Sequence, residues 1–139
     1  MKKIVTVLTI MSMVIGCFGA TSKNHVLTDK FVDALIRVES NGRDNAIGDN
    51  GKAVGCLQIW PDIVTDVNRI SNKKFTLNDR YDRNKSIEMF KIYIGHYAVE
   101  RRIGRSVTNQ DIARIWNGGP NGWRKKSTLG YWYNVKQYM

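Results

Sequence analysis

Phe31-Val32-Asp33-Ala34-Leu35-Ile36-Arg37-Val38-Glu39-Ser40, closed at once by Asn41-Gly42, is the stretch on which the reading of this chain turns. Its apolar residues recur at helical spacing, and Thr28 or Asp29 can cap the helix they predict. Glu39 lies four residues beyond Leu35 and three beyond Ile36, so a helix carries its carboxylate onto the edge of the apolar face. Desolvation there disfavours the charged form and moves the pKa toward neutrality, which is what a general acid requires. On pattern alone an ion-paired Glu in a last helical turn is the simpler reading.

Two further stretches change that balance. One is Gly51-Lys52-Ala53-Val54-Gly55-Cys56-Leu57-Gln58-Ile59-Trp60-Pro61, and the other is Ile112-Ala113-Arg114-Ile115-Trp116-Asn117-Gly118-Gly119-Pro120. With Glu39-Ser40 they resemble, in order, the Glu-Ser, Gly-Leu-Met-Gln-Ile and Ala-Tyr-Asn-x-Gly motifs of the soluble lytic transglycosylase family. The resemblance runs from about Thr28 to about Trp132. It implies a lysozyme-like fold and peptidoglycan glycan strands as partner; no cofactor and no metal are expected. It also implies cleavage of the bond between N-acetylmuramic acid and N-acetylglucosamine, with Glu39 as the general acid and then base, and with closure of a 1,6-anhydro ring in place of hydrolysis.

The same resemblance assigns a substrate groove to Ser40, Gln58, Tyr93, Trp116 and Asn117. The Gln58 amide can donate and accept, and a sugar contact is preferred to a loop brace because apolar Leu57 and Ile59 flank it. Asn117 suits a helix C-cap as well as a ligand. Ser40 can orient the groove or merely end the helix. Trp116 stands where the family has Tyr, and an indole donates but does not accept a hydrogen bond. Tyr93, which resembles the Tyr of a weaker motif, is the candidate for a phenol near the carboxylate, although its spacing also suits core packing. A second carboxylate would favour hydrolysis, as in a goose-lysozyme-like muramidase. Glu88, Asp44 and Asp49 are the candidates, of which Glu88 reads as a solvent-facing helix charge and the two aspartates as turn residues. A non-catalytic envelope-binding protein is the alternative from outside the enzymes.

The chain has 139 residues, enough for one domain and not for two. Residues 1–20 read as a secretory signal, because Lys2 and Lys3 precede an uncharged run from Ile4 to Ile15 too short to span a bilayer comfortably. Val14-Ile15-Gly16-Cys17 resembles a relaxed bacterial lipobox, so Cys17 is expected to carry lipid, the alternative being a cut after Gly19 or Ala20 that discards Cys17 and leaves an ordinary secreted protein; residues 21–139 form the folded domain. The expected location is the periplasm or cell envelope, reached across the inner membrane. Lipidation of Cys17, or its loss with the signal, takes it out of disulfide chemistry and leaves Cys56 without an intrachain partner, and an apolar motif makes Cys56 a buried free thiol. His25 and His96 are the only histidines, which excludes zinc-ligand spacing and argues against Ser-His-Asp or Cys-His catalysis.

The formal net charge is +10 and stays strongly positive once Lys2 and Lys3 are removed. Such a chain is drawn to polyanions. Lys73-Lys74, Arg101-Arg102 and Arg124-Lys125-Lys126 would serve nucleic acid, but export makes the cell wall, with its carboxylates and phosphates, the expected polymer.

Elsewhere, Pro61 opens a helix to about Ser71, lined by Ile63, Val64, Val67 and Ile70. Ile87, Phe90, Ile94 and Tyr97 predict a long helix from about Asn84 to about Arg101. Thr108-Asn109-Gln110-Asp111 has capping-box form and opens a helix to Trp116, which Gly118-Gly119-Pro120 terminates. A last segment from about Ser127 carries Leu129, Trp132, Val135 and Tyr138. Arg43 to Gly55 is turn-rich, a loop or small β excursion. The fold class is therefore mainly α: a single helical domain, α+β in the lysozyme-like sense, with that excursion after the catalytic helix.

Overall fold

Helix α1 (Asp29–Ser40) forms where its periodicity places it in the computed structural model, which describes residues 27–139. The signal-like segment and Cys17 lie outside the described residues. Thr28 accepts a hydrogen bond from the Phe31 amide, and Asn41, left-handed at φ 55°, ends the helix. Phe31, Leu35 and Ile36 are buried against the rest of the core.

The β excursion is an antiparallel pair, β1 (Ile47–Gly48) and β2 (Ala53–Val54), with Ile47 opposite Val54 and Gly48 opposite Ala53. Asp49, Asn50 and Gly51 all take positive φ in the connecting turn. After β2 the chain doubles back so that Val54 and Ile59 exchange backbone hydrogen bonds at 3.2 and 2.9 Å. This turn fits only with glycine at position 55: φ is +83°, and a Cβ would lie 1.8 Å from the Arg80 carbonyl oxygen. Arg80 is itself buried, and its guanidinium donates to the carbonyls of Lys52, Ile59 and Leu77. One side chain thus fixes the excursion to the segment before α3.

Helix α2 (Pro61–Ser71) begins at the expected proline. Helix α3 (Arg83–Tyr97) stops four residues short of the predicted Arg101, and a separate turn, α4 (Glu100–Ile103), follows. In an unbroken helix Ile103, nine residues after Ile94, would sit about half a turn out of phase with it. The break at Ala98 returns Ile103 to the core instead. Between Gly95 and Gly104 the local sequence contains neither glycine nor proline, so packing decides the break.

Helix α5 (Asn109–Gly118) carries the capping box, with Thr108 and Asp111 bonded reciprocally. Its residues from Asp111 to Trp116 are all buried, which makes it the central helix. Helix α6 (Leu129–Lys136) packs on α5 and α1 and buries Val135 completely. Between α5 and α6, buried Arg114 donates to Thr128 Oγ1 and the Lys125 carbonyl, both at 2.9 Å. The architecture is the mainly helical one, with a two-stranded excursion directly after α1.

Among the described residues, no helix is long and apolar enough to cross a membrane, and no group of three His, Cys, Asp or Glu could hold a metal. Cys56 is free and buried, and burial pushes its thiol pKa up, away from reactivity.

Candidate active site

The end of α1 is held from three sides. Ser40 Oγ donates back to the Ile36 carbonyl at 3.1 Å and across to the Cys56 carbonyl at 2.9 Å. Arg43 Nε donates to the Ser40 carbonyl at 3.0 Å, and Arg83, paired with Asp44 at 2.9 Å, donates to the Gly42 carbonyl at 2.6 Å. These cations also satisfy the negative end of the helix. Ser40 is buried and ties the end of α1 to the turn that follows β2.

Glu39 faces a cleft of about 450 Å³ shared with Asp49, Gln58, Trp60, Asp62 and Trp116. Its carboxyl is largely desolvated, and this raises the pKa from 4.5 to about 7. Tyr131 Oη donates to Glu39 Oε1 at 2.6 Å and opposes the rise, as does the Trp116 indole, while the Asp49 charge adds to it. The Tyr131 pKa is driven well above its ordinary value by burial and by Glu39, so the phenol keeps its proton while Glu39 changes state. A carboxyl half-protonated at neutral pH can give a proton and take one back, which is the requirement for a general acid-base.

The phenol that reaches Glu39 is thus Tyr131, not Tyr93. Tyr93 is a core residue, pushed up to about 12 by burial, whose ring packs edge-on against Trp116 at 5.8 Å. Phe90 packs on Trp116 in the same manner at 5.0 Å. Together they fix the indole as one wall of the cleft. Tyr131 escaped the sequence reading because it lies 92 residues from Glu39. The available signal was its position four residues before Val135, on the face that α6 buries.

Gln58 is engaged with its own turn. It lines the cleft, but at φ 50° its Nε2 donates to the carbonyls of Ala46 at 3.3 Å and Gly55 at 3.0 Å. Flanked by buried Leu57 and Ile59, it braces the turn after all; with both amide hydrogens committed, it offers a ligand only an acceptor. Asn117 lies within α5 in the cleft wall, exposed, and Gly119 rather than Asn117 is the cap residue.

Of the three candidate second acids, Asp49 alone is in the cleft. Glu88 pairs with Lys73 at 3.0 Å and Asp44 with Arg83, both on the surface. Asp62, near the start of α2, is a cleft carboxylate that the sequence reading passed over because a first-turn acid is ordinary helix chemistry. The basic runs have local partners: Lys125 Nζ donates to the Gly118 carbonyl at 2.6 Å, Arg102 lies over Tyr97, and Arg124 lies over Trp123.

A chain of the complex between Aeromonas hydrophila PliI and the lysozyme of Meretrix lusoria matches this arrangement with a TM-score of 0.67 at 22% identity, covering 79% of this chain and 88% of that one. The lysozyme of Tapes japonica matches with 0.66 at 25% identity over 79% and 89%. The fold is lysozyme-like. Inhibitor-bound lysozyme from Meretrix lusoria agrees, with 0.66 at 25% identity over 79% and 88%. No protein-family model matches the chain, and no curated protein does. The lysozyme-like fold expected from the motifs is present, while these matched structures are lysozymes rather than soluble lytic transglycosylases.

Proposed function

We propose that this protein is a peptidoglycan-cleaving muramidase that hydrolyses the β-1,4 bond between N-acetylmuramic acid and N-acetylglucosamine. The observation that carries the reading is Glu39: a cleft carboxyl brought to about 7 and hydrogen-bonded by Tyr131. Protonated Glu39 donates to the glycosidic oxygen as the bond to the anomeric carbon breaks, and positive charge develops on the sugar ring. Asp49, in the same cleft, supplies the second carboxylate that this charge calls for. Glu39, now ionised, takes a proton from the water that completes hydrolysis. The matched lysozymes support this outcome over ring closure.

A lytic transglycosylase is the second reading, favoured by the Glu39-Ser40, Gly55 to Ile59 and Trp116-Asn117 motifs. There the muramyl C6 hydroxyl replaces water, and Glu39 alone suffices. Mass analysis of products from purified wall separates the two. Hydrolysis leaves reducing muramic acid ends, whereas ring closure leaves 1,6-anhydro ends lighter by one water. We expect reducing ends, and a loss of about 10²-fold in turnover for Asp49→Asn. Mainly anhydro ends with full activity in Asp49→Asn would overturn hydrolysis in favour of the transglycosylase.

A further inference from the structure

The wall of the cleft formed by the start of α2 has no part in the chemistry above. Trp60 is 40% exposed there, although tryptophan is a residue that folding usually covers. It occupies the N-cap position of α2 with extended backbone (φ −84°, ψ 156°), and its side chain makes no capping bond. Ser, Thr, Asp or Asn at that position would bond a free amide of the first turn. A residue that forgoes this bond and leaves part of an indole in solvent departs from a local rule, and such sites point to function. Two residues on, Asp62 lines the same cleft, exposed, and makes no salt bridge among the described residues. The Lys52 ammonium lies 5.5 Å from the Trp60 ring centroid, a cation–π contact that restricts the indole.

Together these observations describe a platform and an adjacent acceptor. A pyranose in a β-1,4 strand presents a face of C–H groups, which an indole covers with loss of apolar surface to water. Its rim presents hydroxyl donors, for which an ionised carboxylate is a strong acceptor. The acid at the start of α2 is also favourable to the helix dipole, but that role does not account for the exposed indole beside it.

We propose that Trp60 and Asp62 form a saccharide subsite of the cleft: Trp60 stacks on one sugar ring of the glycan strand, and Asp62 accepts hydrogen bonds from its hydroxyls. The subsite rests on the reading of the cleft as a glycan-strand site, but it requires neither turnover nor a peptide stem. It therefore binds a plain β-1,4 N-acetylglucosamine oligomer.

The test is titration of the N-acetylglucosamine hexamer into the protein carrying Glu39→Gln, followed by calorimetry. Trp60→Ala in that background is expected to weaken binding roughly thirtyfold, the size typical of a truncated aromatic anchor. Trp60→Tyr keeps a ring and is expected to recover most of the affinity, which separates loss of the platform from loss of the fold. Asp62→Asn should weaken binding about tenfold, and Tyr133→Ala, an exposed aromatic outside the cleft, should leave it unchanged. With Glu39 restored, Trp60→Ala should raise KM on purified wall and hold kcat within a few-fold. Binding within twofold of the background in Trp60→Ala, or no binding by the background while wild type cleaves wall, overturns the subsite. Failure of wild type to cleave wall, with Trp60-dependent binding intact, would overturn the proposed hydrolysis and leave the subsite standing.

Discussion

Replacing Glu39 by Gln separates the two consequences of its burial. The amide keeps the shape of the acid but has no proton to give, so cleavage of purified wall should fall by at least about 10²–10⁴-fold. Stability should change in the opposite direction, and only at high pH. Folding raises the Glu39 pKa from 4.5 to about 7, so the folded protein holds this proton over a range where the unfolded chain has released it. The resulting contribution is fully present below 4.5 and is lost as the pH rises to about 7. At about 1.4 kcal/mol per tenfold change in proton affinity, the span amounts to about 3 kcal/mol. Glu39→Gln removes this dependence while every other ionisation is shared with wild type. Urea unfolding followed by tryptophan fluorescence at pH 4 and pH 8 should show the variant gaining up to about 3 kcal/mol on wild type between the two. Stability curves that run parallel would refute the claim that Glu39 is desolvated in the folded protein. Near-normal cleavage by the variant would refute its role as the acid.

Tyr131→Phe removes the donor that opposes the rise in the Glu39 pKa, so the alkaline limb of kcat/KM, expected near 7 in wild type, should move to higher pH. An unmoved limb would mean that Tyr131 packs without setting the ionisation. For anchoring, which concerns residues outside the described structure, Cys17→Ser should shift the mature protein from membrane to soluble fractions; a wild-type chain that begins at Ala20 or Thr21 by N-terminal sequencing would rule out lipidation of Cys17.

Much of the fold was legible from the sequence because its causes are local. The period of Phe31, Leu35 and Ile36, the Thr108 and Asp111 capping box, Pro61 and the turn residues from Asp49 to Gly51 each act within a few residues, and each forms the element expected there. The motif spacing likewise identified Glu39, Trp116 and Asn117, which meet in one cleft. Tertiary structure decided what depends on distance through space. It ended α3 at Tyr97, because Ile103 gains more from the core than the helix gains from continuing. It placed Asp49, and neither Glu88 nor Asp44, in the cleft, turned Gln58 to its own backbone, and brought Tyr131 rather than Tyr93 to the carboxylate. The raised pKa of Glu39 is the plainest case. The sequence supplies a carboxyl at the margin of an apolar face, but desolvation depends on what α5, α6 and the β excursion place around it, and no local pattern encodes those neighbours.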